Sequence, residues 1–114
     1  MSTPKRLLKA LDERDGHVDV WTGVDTGRLV PQHRHGGMGG GKSKHCIENL
    51  LWLDSIVNTL IESDPEYQAE AKRRGIKISL HADPTQIPVE FADGKKWFLR
   101  SSGTRELSGE GWVW

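Results

Sequence analysis

Residues 31–44 read Pro31-Gln32-His33-Arg34-His35-Gly36-Gly37-Met38-Gly39-Gly40-Gly41-Lys42-Ser43-Lys44. The stretch holds five glycines, two histidines and three basic residues, and no acid. No regular element fits it, and a long glycine-rich loop inside a small domain is often functional. Beyond it, Leu50, Leu53, Val57, Leu60 and Ile61 recur at helical spacing, which predicts a helix directly after the loop. Asp54, Asn58 and Glu62 are four apart and share another face of that helix. Taken alone, this face suits either solvent or a ligand. Asn49, after Glu48, suits the cap of the helix. Before the loop, Val18-Asp19-Val20-Trp21 alternates like a strand and Leu29-Val30 suits a second one. Thr22-Gly23 and Asp25-Thr26-Gly27 supply the turn of a hairpin between them.

Working outward, residues 3–13 read as a helix, with Leu7, Leu8 and Leu11 at helical spacing, Ser2 or Thr3 as cap and Pro4 in the first turn. Asp64-Pro65 predicts the cap and first position of another helix over 65–74, which Gly75 stops. Ile76 to Leu80 alternates like a strand. Residues 88–100 read as a hairpin turning at Asp93-Gly94. Residues 101–114 read as a tail, whose Trp112 and Trp114 suit packing on the body or on a partner. The expected fold class is α+β, with one domain over residues 1–100.

The chain has 114 residues, so a single core is the default. Its 16 basic and 16 acidic side chains balance, which argues against a strongly cationic scaffold but allows a local basic patch. A single cysteine, Cys46, excludes an internal disulfide and a four-cysteine zinc site. No apolar run approaches the roughly 20 residues that span a bilayer, and the N-terminus lacks the apolar region of a signal peptide. The expectation is a soluble cytoplasmic protein with no membrane partner.

Gln32-His33-Arg34, the Gly-Met-Gly-Gly loop, Glu48-Asn49-Leu50 and Asn58 stand in an order that resembles the HNH endonucleases, the nucleases with a ββα-metal site. Arg14-Asp15-Gly16 followed by Trp21-Thr22-Gly23 is similar to the family's first hairpin. Asp83-Pro84 leading to Ile87-Pro88-Val89 and a hairpin resembles small bacteriophage members. The resemblance covers about residues 14–100. It implies a ββα-metal core over residues 17–63 (a β-hairpin, the glycine-rich loop, then a helix), flanked by helices and a C-terminal hairpin. Many relatives knit their loops around zinc with two Cys-x-x-Cys pairs. Here those positions read Asp19 and Thr22, then Asp54 and Val57, so no structural zinc is expected and Trp21, Trp52 and the leucines must hold the core.

The implied activity is metal-dependent DNA endonuclease or nickase chemistry, leaving 5′-phosphate and 3′-hydroxyl ends. Phosphodiester hydrolysis needs a base for water and a cation for the developing charge. Histidine suits the first role because its unperturbed pKa lies near neutrality. By resemblance His33 is the general base, and Asn49 orients its imidazole or ties down the loop. Asn58 takes the place of the family's last, metal-binding histidine, an HNN variant. Gln32 replaces the first residue of a His-His or Asp-His pair, and its neutral amide is a poorer partner for a hard cation. Glu62 or Asp54 supplies the missing negative charge, for a single Mg2+ or Mn2+ ion. Arg28, Arg34, His35, Lys42 and Lys44 form the expected nucleic-acid surface, with Arg34 forking onto a phosphate. The same chemistry serves RNA. Cutting both strands calls for a homodimer, and the phage relatives point to DNA processing or packaging partners in the host cytoplasm. The alternative is a ββα module that binds nucleic acid or a host protein without cutting.

Overall fold

A computed structural model describes residues 3–35 and 46–108. Within them, three α-helices and two small antiparallel sheets make an α+β fold. In chain order these are α1 (Lys5–Asp15), β1 (Leu29–His33), a 3-10 turn (Ile47–Asn49), β2 (Leu50–Asp54), α2 (Ser55–Ser63) and α3 (Pro65–Arg73). The strands β3 (Val89–Glu90), β4 (Lys96–Leu99) and β5 (Arg105–Leu107) follow.

The hairpin that organises the molecule is not the one expected from the sequence. Residues 18–21 form turns, and β1 pairs with β2 across the glycine-rich stretch, from Leu29 opposite Asp54 to His33 opposite Leu50. The predicted helix therefore starts five residues late, because Leu50–Asp54 is a strand and α2 begins only at Ser55. All five residues of β2 are buried, and a strand covered on both faces reads as a continuous apolar run rather than an alternating one. Such a run cannot be told from a buried helix by periodicity. Pro31 is tolerated in β1 because Arg34 N–H bonds Asn49 O and Ser55 N–H bonds Arg28 O. Antiparallel alternation then turns the Pro31 nitrogen away from β2, where no donor is needed.

Each face of this hairpin has its own core. Leu51 and Leu53 pack with Ile61 of α2, Ala71 of α3, and Val20, Ile76, Val89 and Leu99. Leu50 and Trp52 pack on the other face with Ile47 and with Leu7 and Leu11 of α1. Burial of each large aliphatic side chain contributes about 1.5–3 kcal/mol. Trp52 also donates its indole N–H to Asp12 at 2.9 Å, tying β2 to α1. Trp21 stacks on Tyr67 with ring centres 5.4 Å apart.

At the start of α1, Pro4 occupies the cap position without a side-chain cap bond, and Ser2 lies outside the described residues. The cap of α3 is as read: the Asp64 carboxylate accepts from Glu66 N–H, with Pro65 at the first turn. Ile76–Leu80 forms no strand, only an isolated parallel bridge between Ile78 and His35. The C-terminal hairpin forms as β3 and β4, and part of the expected tail joins it as β5. Trp112 and Trp114 lie outside the described residues.

Gly75 ends α3 at φ +73°, and a Cβ there would sit 2.1 Å from the Pro88 carbonyl oxygen. Gly75→Ala combines a left-handed backbone with a backbone clash, so it is expected to cost more than about 1 kcal/mol, read as a lowered midpoint in a thermal melt.

Candidate functional site

His33 is the last residue of β1, half-buried, and lies opposite Leu50. Side chains directly across an antiparallel pair share a face. His33 therefore lies on the α1 side of the hairpin, with Leu50, whereas Gln32 lies with Leu51 on the α2 side. The strand thus separates these neighbours onto opposite faces at its open end.

Asn49 is fully buried and is not a helix cap. It closes the neck of the loop: its side-chain oxygen accepts from His35 N–H at 3.1 Å, and its carbonyl accepts from Arg34 N–H at 2.7 Å.

Arg34 is the main correction. Its side chain is fully buried, and its guanidinium donates to the carbonyls of Gly75 (3.0 Å), Glu48 (3.2 Å), Pro84 (2.7 Å) and Ile87 (2.6 Å). A group so enclosed does not meet a phosphate; it braces the segment after α3 against the hairpin. Burial, with a smaller push from Arg14, lowers it to about 9, so it remains a cation at neutral pH. His35 is likewise engaged, with its Nε2 2.8 Å from Ala82 O and its backbone bridged to Ile78.

Asp54 is corrected from metal ligand to structural anchor. It caps α2, accepting from Ile56 N–H (2.8 Å) and Val57 N–H (3.1 Å), and its other oxygen lies 2.8 Å from the Arg28 guanidinium. Arg28, expected on a phosphate, is held by that pair. The Thr26 hydroxyl, the two amides and Arg28 together hold the Asp54 carboxyl below its ordinary value, against the opposing effect of burial. Its stabilisation is therefore complete above the unfolded carboxyl value and is lost as pH falls through the lower folded one. Asp54→Asn keeps a capping oxygen but removes this titration. Its midpoint is expected several degrees below wild type at pH 7, with the gap closing below about pH 4. Thermal melts across that range check it.

Asn58 stands half-buried on α2, and Glu62, one turn further, pairs with Lys77 at 2.7 Å. The pair is exposed and worth little, so the carboxylate can turn to another cation. Ile78, next to Lys77, donates its N–H to Arg34 O, which brings the end of α2 toward the end of β1. Among the described residues no three His, Cys, Asp or Glu side chains cluster as a metal site. Glu62, Gln32 and Asn58 offer one carboxylate and two neutral amides, a weaker donor set for a hard cation than paired carboxylates. Lys42 and Lys44 lie outside the described residues.

Sequence reasoning missed a buried network. Asp19, fully buried, accepts from Thr22 N–H (2.9 Å) and hydroxyl (2.8 Å) through one oxygen. Its other oxygen accepts from Asp54 N–H (2.9 Å), and Asp54 in turn binds Val57 N–H. Positions 19, 22, 54 and 57 thus meet through direct hydrogen bonds. Arg14 and Arg74 are two further buried arginines: Arg14 donates to Ile47 O and Leu50 O, and Arg74 to Val20 O, Trp21 O and Glu90 O. A solitary arginine or aspartate carries no sequence signal that separates such a brace from a surface charge. Compared with family models, with curated proteins and with solved structures, the chain matches none.

Proposed function

We propose that this chain is a small HNH-like endonuclease or nickase in which His33 activates water for phosphodiester hydrolysis. The observation that carries the reading is the meeting of positions 19, 22, 54 and 57. The resemblance assigns those four positions to the zinc cysteines of relatives, on two segments far apart in sequence. One bond, from Asp54 N–H to Asp19, joins the two segments, and this closeness supports the reading. β1, β2 and α2 follow one another as a strand–strand–helix unit, with the glycine-rich stretch between the two strands rather than after a hairpin over residues 18–30.

In this mechanism His33 takes the proton of a water molecule as its oxygen attacks phosphorus, and the bond to the 3′ oxygen breaks. Asn49 keeps the loop neck closed beside the base, and Arg34 braces the segment after α3 against the hairpin. Glu62, Asn58 and Gln32 would hold a Mg2+ or Mn2+ ion, which supplies charge stabilisation at the phosphate and the leaving oxygen.

The neutral amides at Gln32 and Asn58 favour a second reading, a ββα module that binds nucleic acid without cutting it. Plasmid nicking by the full chain with Mg2+, Mn2+ or EDTA separates the two. Metal-dependent nicking supports the nuclease; folded protein that binds DNA and never nicks it supports the module. Among the described residues no helix is long and apolar enough to cross a membrane.

A further inference from the structure

The cations expected to hold phosphate, Arg34 and Arg28, are committed to the fold, which leaves the question of what holds the substrate. We infer that the exposed face of the first half of α1, formed by Lys5, Arg6 and Lys9, is the surface on which the phosphate backbone of a nucleic acid lies. The inference rests on the nucleic-acid reading above and adds to it the location of the contact.

All three side chains are exposed, and none joins an ion pair among the described residues. By contrast Arg14, Arg28, Arg73, Arg74, Lys77, Arg100 and Arg105 each face a carboxylate. The placement also opposes the helix dipole. The first turn of α1 carries no acid, and its cations sit at the positive end, where each costs about 0.3–1 kcal/mol. The acids at the other end have structural work: Asp12 binds His17 and Trp52, and Asp15 binds Arg14. Among the described residues no ion pair accounts for the three cations, and a polyanion does.

Position supports the same ligand. α1 covers the hairpin face on which His33 lies, and Arg14 grips the carbonyl of Leu50, the residue opposite His33. Lys9 is five residues from Arg14, about 7.5 Å along the helix axis. The near end of the cationic face thus lies between about one and two helical turns from the residue that holds the Leu50 carbonyl. A lipid surface fits poorly, because the apolar stripe of α1, Leu7 and Leu11, is buried against β2 and offers nothing to insert.

The test measures binding without cleavage. A labelled duplex of about 25 base pairs is titrated with the full chain in EDTA at several salt concentrations, comparing wild type with Lys5→Gln/Arg6→Gln/Lys9→Gln. The expected result is affinity at least about tenfold weaker near 0.1 M salt, and a slope of log K against log salt shallower by about 2–3. Lys72→Gln/Lys95→Gln, which removes two other exposed cations, serves as control and is expected to bind as wild type. Far-UV circular dichroism confirms that α1 is retained, since glutamine is a good helix former. Equal affinity and slope for the triple variant and wild type overturn the inference while leaving the nuclease reading in place. Binding that falls in the triple variant, from a wild type that does not nick, supports the inference and removes only the catalysis. A wild type that binds phosphatidylserine vesicles and not DNA overturns both.

Discussion

Arg34→Ala is expected to leave a chain that is largely unfolded at 37 °C. The wild-type guanidinium is fully buried and serves four carbonyls from three separated segments, around Glu48, Gly75 and residues 84–87. Truncation deletes charge-assisted hydrogen bonds, strands several buried acceptors and opens a large cavity. Each buried acceptor left without a partner typically costs about 1–3 kcal/mol. A domain of this size holds roughly 5–15 kcal/mol in total. The midpoint of a thermal melt should therefore fall by more than about 10 °C. Arg34→Lys retains the charge but lacks the planar fork, so it should recover only part of the loss. An Arg34→Ala protein that melts like wild type would falsify the bracing role and reopen a surface role for this residue.

The second large effect is kinetic. On the proposed nuclease reading, His33→Ala is expected to reduce metal-dependent plasmid nicking by about 10²–10⁴-fold, the usual contribution of a positioned general base. That span corresponds to roughly 3–5 kcal/mol in the activation barrier. Because His33 is half-buried at the end of a strand, the variant should still fold, with a melt close to wild type. The separation of the two readouts is what distinguishes it from Arg34→Ala, which loses activity by losing structure. Nicking that persists at the wild-type rate in folded His33→Ala protein removes the base assignment.

Legibility in the sequence followed how local each signal was. The Asp64-Pro65 cap of α3 and the Asp93-Gly94 turn depend on a few adjacent residues, and both stand where they were read. The segment Leu50–Asp54 was misread because burial on both faces erases the alternation that identifies a strand. Leu29-Val30 is a strand as read, but Pro31 and the glycines after it mask the end of β1, and its partner is β2 rather than residues 18–21. At the candidate site, the roles of His33, Asn49 and Asn58 rest on the resemblance. The electrostatic assignments could not be read from the sequence. Arg34, Arg28, Asp54 and Glu62 all carry charges suited to a phosphate or a metal, and only tertiary contacts reveal that each already has a counterpart. Asp19 is the reverse case, a residue with no evident role in the sequence that proves central once Thr22 and Asp54 are seen around it.

The three buried arginines have an evolutionary consequence. Arg34 and Arg74 direct their guanidinium bonds to main-chain carbonyls, as does Arg14 in addition to its pair with Asp15. Every amino acid presents the same carbonyl, so the recipient positions can drift in identity without losing the bond. The donors have no such freedom. Substitution at a recipient such as Ile87 keeps the bond, whereas Gly75 is fixed by its positive φ and by the Pro88 carbonyl beside it.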